Sequence, residues 1–313
     1  MSRLPLVHVV ILNWNKPEET RRCIASVLAA GYSNQRILVV DNGSDAGMGP
    51  GEGAEYRLIR NSRNLGFAGG MNVGMRHAMQ DGADYVWLLN NDATVLLGAL
   101  DALVREAEAQ PDIGLLSPAI LQGERLDFHG GVWEAGGTVL RTTSDPPEYA
   151  RWARESPERI WLVGAALLVR RALVERIGGL DERYFAYWED NDYAIRASRA
   201  GYRSVVVGEA RVQHDFGTSE RGTTARPPYY FYFMSRNEIF YLRQLGGLLR
   251  HARPLAWMLQ RQRRVLARLC GRPECTEALL QGICDGLLGR GGPWRPARPS
   301  PLRRRLAGLL AAE

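Results

Sequence analysis

Cysteine is scarce in this chain and follows no pattern. Among 313 residues there are 4 cysteines, Cys23, Cys270, Cys275 and Cys284, with no CxxC and no zinc-ligand spacing. This excludes a disulfide scaffold and a zinc ribbon, and free, mostly buried thiols are expected. Long apolar runs are missing too. The run Leu4 to Leu12 contains His8 and leads into Asn13-Trp14-Asn15 with no small-residue cleavage site. It is too short to span a bilayer, so neither a signal peptide nor a transmembrane helix is expected, and the protein is read as cytoplasmic. Lysine is nearly absent, Lys16 standing alone, which is read as genome composition. The Gly-rich stretch Gly66 to Gly70, GFAGG, matches neither a P-loop nor GxGxxG. Its small residues suit a phosphate cradle or close helix–strand packing.

What is present fits a soluble globular protein with one large or two medium domains. Charge is unevenly spread. Residues 226–313 hold 16 Arg against 5 acidic residues, a net of +11 in a chain of net +6, which leaves −5 for residues 1–225. A basic tail on an acidic body suggests an anionic partner surface, membrane or nucleic acid.

Along the chain, apolar runs at Val7–Leu12, Ile37–Val40, Tyr56–Ile59, Tyr85–Leu89 and Ile113–Leu116 read as strands. Helices fit Pro17 to about Ala30, the stretch after Asn72, and Leu97 to Ala109. The β-α-β-β-α-β-α-β order predicts a largely parallel sheet with helices on both faces. Ligands of such sheets bind beyond the carboxyl ends of the strands. Three polar clusters fall there: Asn13–Asn15, Asp41–Ser44 and Asn90–Asp92. Residues 119–139, with Gly130-Gly131 and Gly136-Gly137, read as a hairpin insertion. The polar stretch Thr142 to Pro157 carries three prolines and reads as a mobile loop over the site. Trp161 to Val169 reads as one strand, with Gly164 marking a close approach of backbone or ligand. The aromatic run within Pro227–Arg243 reads as a helix. Leu255–Leu269 and Leu302–Leu310 are amphipathic and Arg-rich, suited to a protein surface or to anionic lipid.

The most informative run is Tyr184 to Arg203. Glu189, Asp190 and Asp192 open a helical pattern right after Tyr184, Phe185, Tyr187 and Trp188, and Gly201 suits its stop. A helix N-terminus favours negative charge. Acidic capping needs only one or two carboxylates, so one of the three is read as a general base in an aromatic-walled pocket. A lone histidine is more often structural, but His214 ends a strand before a Gly-rich loop, which favours a ligand role. Asp92 and His214 could then hold Mg²⁺ or Mn²⁺, because substrate phosphates complete such a shell. Together these pieces describe group transfer from a nucleoside-diphosphate donor with inversion at the reacting carbon, through an oxocarbenium-like transition state if the group is a sugar.

The segments VVILNWN (9–15), VVDNGSDA (39–46), NSRNLGFAGGMN (61–72), LLNNDA (88–93), GAALLVRR (164–171), GGLDERYFAYWEDNDYAIRASRAGYR (178–203) and HDFGTS (214–219) run in one order over about residues 7–240. In that order the chain resembles glycosyltransferase family 2, in particular its bacterial rhamnosyltransferase-like branch. The resemblance implies a GT-A fold: α/β, a Rossmann-like, mostly parallel central sheet with helices on both faces, here with a C-terminal helical extension. It implies a catalytic domain over 1–225, with a nucleotide-sugar half to about 118 and an acceptor half over 119–225. The basic, mainly helical extension covers 226–313.

Carried over by position, the resemblance implies a nucleotide-sugar site of Asn13, Trp14, Asp41, Asn64, Gly69, Asn72, Asn90 and Asn91. Asp190 becomes the catalytic base, paired with Glu189. Asp92 and His214 become metal ligands for Mg²⁺ or Mn²⁺, and Gly164, Trp188 and Asp192 the acceptor side. One departure matters: the first position of the DxD motif is Asn90, which brings no charge. The same replacement is familiar in the rhamnosyltransferase-like branch and favours a dTDP-L-rhamnose donor, with a UDP-hexose as rival. Implied partners are a nucleotide-diphosphate sugar and a glycan or polyprenyl-diphosphate-linked acceptor for cell-surface polysaccharide, with peripheral contact at the inner face of the plasma membrane through the tail. A homodimer is compatible, and nucleic acid is disfavoured. A nucleotidyltransferase would need a Gly-rich first loop that Asn13-Trp14-Asn15 lacks. A non-catalytic carbohydrate- or nucleic-acid-binding protein would leave Glu189-Asp190 and Asp92 unexplained.

Overall fold

A computed structural model describes residues 3–45, 47–48, 55–134, 139–214, 226–246, 252–269, 271–298 and 300–311. Most of the loop 46–55, the turn Gly136-Gly137 and the stretch Asp215–Ser219 lie outside these residues. The chain divides into two compact units. One comprises Met1–Asp181 with Asp190–Asp215, the other Glu182–Glu189 with Phe216–Glu313.

The first unit is built on β1 (Val7–Asn13), β2 (Gln35–Asp41), β3 (Arg57–Arg60) and β4 (Tyr85–Asn90), ordered β3-β2-β1-β4 and all parallel. Their side chains are almost wholly buried at Val7, Val9, Val10, Val39, Val86 and Trp87, as expected of strands covered on both faces. α1 (Pro17–Ala29) starts with Pro at its first position and Glu18 and Glu19 in its first turn, groups that complement the unsatisfied N–H ends. α2 (Gly66–Gln80) lies on β1 at short range. A methyl group added at Gly70 would meet Leu12 Cδ1 at 2.4 Å, and one at Gly74 would meet Val10 Cγ1 at 2.2 Å. The glycines at these two positions therefore serve helix–strand packing.

Beyond β4 the sheet becomes mixed. β5 (Ala93–Val95), α3 (Ala99–Ala109), β6 (Ile113–Gln122) and β7 (Arg125–Phe128) follow in sequence. β11 (Ala166–Arg170) is inserted antiparallel between β4 and β6, while β12 (Arg203–His214) runs parallel to β6 and antiparallel to β5. β8 (Gly131–Glu134), β9 (Val139–Thr142) and β10 (Ile160–Trp161) form a separate three-stranded sheet.

Two expectations are corrected here. The stretch 142–157 is no loop: Pro146–Glu155 forms α4, with Pro at its start and Tyr149 and Trp152 buried. Proline's fixed φ is already helical and the N–H that it lacks has no intrahelical partner in a first turn, so there it favours the helix. The strand expected over 161–169 is split. β10 and β11 belong to different sheets, and Gly164 lies in the turn between them.

α5 (Arg171–Ile177) and α6 (Glu189–Arg199) complete this part of the chain, and α6 stops before Gly201, at φ +88°. The second unit contains α7 (Pro228–Gln244), α8 (Ala252–Arg268), α9 (Pro273–Leu288) and α10 (Pro301–Ala311). Met258 of α8 and Leu310 of α10 are buried in one cluster with Ile239, Leu242, Leu279 and Ile283. The apolar faces of both amphipathic segments thus contribute to a helical core. Among the described residues no helix is long and apolar enough to cross a membrane.

The turn after β2 carries its own test. Gly43 has φ +74°, and a Cβ there would lie 2.4 Å from the Arg63 carbonyl carbon. Gly123 has φ +59° and open space around it. Gly43→Ala should therefore destabilise more than Gly123→Ala, which loses only the backbone preference of about 1–2 kcal/mol. Urea midpoints of the two variants check this, and equal losses would contradict it.

Candidate active site

Parallel register brings the polar strand ends side by side. Asn13 pairs with Asp41, and Leu12 with Asn90. Asn13 and Asp41 are buried. Asn13 Nδ2 donates to Asp41 Oδ1 and to Ser44 Oγ, both at 3.3 Å. Asn13 Oδ1 accepts from the Thr20 hydroxyl at 3.0 Å, and Thr20 Oγ1 accepts from Asn91 Nδ2 at 3.1 Å. Thr20, in the first turn of α1, thus ties the end of β1 to the end of β4. The sequence offers no signal that would single it out. Trp14, just past β1, is 52% exposed.

Asn64 and Asn42 form a neighbouring network. Asn42 Nδ2 donates to Asn64 Oδ1 and to the Gly66 carbonyl, both at 3.0 Å. Asn42 Oδ1 accepts from Asn61 Nδ2 at 3.0 Å and from the Leu65 N–H at 3.1 Å. Asn42 is the buried centre that shapes the approach to α2. It was legible only as part of a turn. Gly69 is buried within α2. Asn72 is also buried, but its amide bonds both the carbonyl and the N–H of Leu180, each at 2.8 Å. That engagement holds the 179–180 backbone on α2.

His214 comes to the same end of the sheet from β12. Its Nε2 lies 3.0 Å from Asp92 Oδ1 and 3.1 Å from Asn90 Nδ2. Asn90 Oδ1 is buried without a hydrogen-bond partner. Among the described residues no group of three or more His, Cys, Asp or Glu gathers as a metal cluster. A carboxylate and an imidazole at contact distance, with an unused amide oxygen beside them, nevertheless fit a cation that takes most of its shell from phosphates and water.

Asp190, near the start of α6, is partly buried. Its Oδ2 accepts from the Gly164 N–H at 2.9 Å, and its Oδ1 accepts from the backbone and side chain of Asn191 at 2.8 and 2.9 Å. Burial raises its carboxyl above the usual carboxylate range, against the opposing pull of these hydrogen bonds. What approaches Gly164 is the Asp190 side chain, and not the backbone or ligand expected of a strand glycine. Asp192 is buried and its Oδ2 accepts from Arg196 Nε at 2.7 Å. Arg196 in turn donates to the Ile177 and Gly179 carbonyls. Asp192 therefore anchors α6. Glu189 is buried, and Trp188 packs on Tyr241 with ring centroids 5.1 Å apart.

With this geometry in hand, the similarities to known proteins are direct. The model of the family "Glycosyl transferase family 2" matches residues 8–178. The chain is 31% identical over 229 residues to N-acetylglucosaminyl-diphospho-decaprenol L-rhamnosyltransferase of Mycobacterium tuberculosis, covering 66% of this chain and 75% of that protein. It is 26% identical over 226 residues to galactofuranosyltransferase GlfT1 of the same species, covering 68% and 71%. In fold it is similar to GalNAc-T7 solved with UDP, GalNAc and Mn²⁺, at a TM-score of 0.57 and 16% identity. That match covers 82% of this chain but only 55% of GalNAc-T7. The mannosyltransferase PcManGT from Pyrobaculum calidifontis, solved with GDP-Man and Mn²⁺, gives a TM-score of 0.56 at 16% identity, over 99% of this chain and 81% of that one. These two structures bear on the fold alone.

Proposed function

Because the chain belongs to glycosyl transferase family 2, we propose that it is an inverting, metal-dependent transferase that moves L-rhamnose from dTDP-L-rhamnose to a lipid-linked glycan hydroxyl. The observation that carries this reading is the Asp190 carboxylate, oriented by Gly164 and Asn191 and raised by burial. A base of this kind is better matched to an alcohol proton at neutral pH than an ordinary carboxylate.

Asn13, Asp41 and their neighbours at the strand ends bind the nucleoside and diphosphate. Asp190 takes the proton of the acceptor hydroxyl as its oxygen bonds to the anomeric carbon. The bond from that carbon to the diphosphate breaks on the opposite side, and the nucleoside diphosphate departs with the electron pair. One step of this kind inverts the reacting carbon. A divalent cation held by Asp92 and His214 would supply positive charge to the diphosphate. The rhamnosyltransferase at 31% identity supports L-rhamnose as the sugar and a lipid-linked diphosphate glycan as the class of acceptor. The galactofuranosyltransferase similarity supports a second reading in which another sugar is transferred, and a UDP-hexose is the rival donor. The basic residues 226–313 favour acceptors at an anionic membrane surface.

A thermal-shift panel of dTDP, UDP, GDP and CDP, each with and without Mn²⁺, tests the donor. A ligand that binds the native state raises the melting temperature by mass action. A metal-dependent shift with dTDP alone is expected. A shift with UDP alone would move the donor to UDP-sugars. No shift with any nucleotide would overturn the transferase reading in favour of a binding protein.

A further inference from the structure

The chain just before Glu189-Asp190 is held in an expensive conformation. Phe185, Tyr187 and Trp188 have φ of +66°, +68° and +74°. A left-handed conformation is costly for a residue with a side chain, and such strain persists only where the surroundings over-determine it. The determinants are two consecutive residues of α7. Arg236 and Asn237 are both fully buried at 0% exposure.

Arg236 Nη2 donates to the Arg183 carbonyl at 3.1 Å and the Tyr184 carbonyl at 2.6 Å, and Nη1 donates to the Gly292 carbonyl at 2.6 Å. Its Nε donates to Asn237 Oδ1 at 2.8 Å, which fixes the asparagine amide. Asn237 Nδ2 then faces the carbonyls of Tyr184, Ala186 and Tyr187 at 2.9, 2.7 and 2.8 Å. The two side chains thus gather four carbonyls of one irregular segment. The guanidinium lies over the rings of Tyr232, Phe233 and Phe240, at 5.1, 4.9 and 5.2 Å from their centroids. Phe185 stacks on Phe233 at 5.3 Å, and Tyr187 meets the edge of Tyr230 at 5.3 Å.

A buried guanidinium is costly, and carbonyl dipoles, ring faces and the Tyr232 hydroxyl, itself bonded to Asp285, offset that cost. The carbonyls so held end two residues before Glu189 and three before Asp190. We propose that Arg236 and Asn237 are positioning residues for the transfer reaction, holding the carbonyls of Arg183, Tyr184, Ala186 and Tyr187 so that the chain enters Glu189, the first residue of α6, in one conformation. The inference rests on the proposed transferase reading.

The test compares wild type with Asn237→Asp and Asn237→Ser. Aspartate is nearly isosteric but aims an acceptor at three carbonyls, and serine keeps a single donor. Two readouts are taken: amide hydrogen exchange over 183–190 and over the strands at 7–41, and steady-state kinetics with the donor. Asn237→Asp should speed exchange over 183–190 while 7–41 stays protected. It should lower kcat about 100-fold, as a misplacement near 1 Å does, with donor KM within about twofold. Asn237→Ser should fall between. Unchanged exchange over 183–190, an unchanged kcat, or a kcat loss matched by lost donor affinity would overturn the inference. Failure of both variants to fold would also overturn it, since the pair would then serve stability alone. Inactivity of wild type with every donor would instead sink the transferase reading, and the exchange result would still decide whether the clamp exists.

Discussion

Asp190→Asn should lower sugar transfer by about 10²–10⁴-fold, the usual contribution of a positioned general base, with nucleotide affinity within about twofold of wild type. The substitution keeps the shape of the side chain and the hydrogen bond to Gly164 or to Asn191 through its remaining oxygen. What is lost is the ability to accept a proton. Turnover and binding therefore separate, measured by initial rates and by nucleotide thermal shift on the same preparation. Parallel loss of both would contradict a base role and point to a structural one. The pH profile supplies a second check. Asp190 acts only when ionised, and burial holds its folded value above the usual carboxylate range. Activity should then rise with pH through an acid limb displaced above that range. Stability carries the opposite sign. The folded state binds this proton more tightly than the unfolded state, so the contribution of Asp190 to stability falls as pH rises between the two values. An acid limb at or below the ordinary carboxylate value would contradict the assignment.

The parts of the fold that were legible are those where one physical signal dominates. Val7–Leu12 and Tyr85–Leu89 are buried on both faces, so the second reads as an uninterrupted apolar run and the first as one broken only by His8, and polar residues end each run at the same end of the sheet. The three residues of β5 give too short a pattern to be seen, although their pairing with β12 is what sets Ala93 opposite His214. α4 was hidden by its own composition, since proline and charge look like a loop until Tyr149 and Trp152 are seen to be buried. Asp190 stands out as a candidate because carboxylates beside aromatics at a helix start are unusual. Arg236 and Asn237 do not, because their partners are backbone carbonyls about 50 residues earlier in the chain. A carbonyl has no sequence identity, so nothing in the local pattern separates a residue that binds one from a surface arginine or asparagine. The same holds for Asn72, whose partner is the backbone of Leu180.

Removing the cation should abolish transfer, and the residues that hold it should be Asp92 and His214. Activity lost to EDTA should return with Mn²⁺ or Mg²⁺. Asp92→Asn removes the only carboxylate of the pair, and His214→Ala removes the imidazole that lies 3.0 Å from it. Each should raise the Mn²⁺ concentration needed for the nucleotide thermal shift by about 10–100-fold, the range seen when a metal site loses a determinant. The shift is read on binding, so it separates metal affinity from turnover. Asn90 turns this into a test with a gain as well as a loss. Its Oδ1 is buried and without a partner, and its place at the end of β4 puts it beside the same imidazole. Asn90→Asp adds a charged oxygen there and should lower the Mn²⁺ requirement in the same assay. If Asn90→Asp has no effect while Asp92→Asn and His214→Ala both weaken the response, the cation is bound on the side away from Asn90. If none of the three changes the metal dependence, Asp92 and His214 form only a structural contact, and the cation is held by other groups.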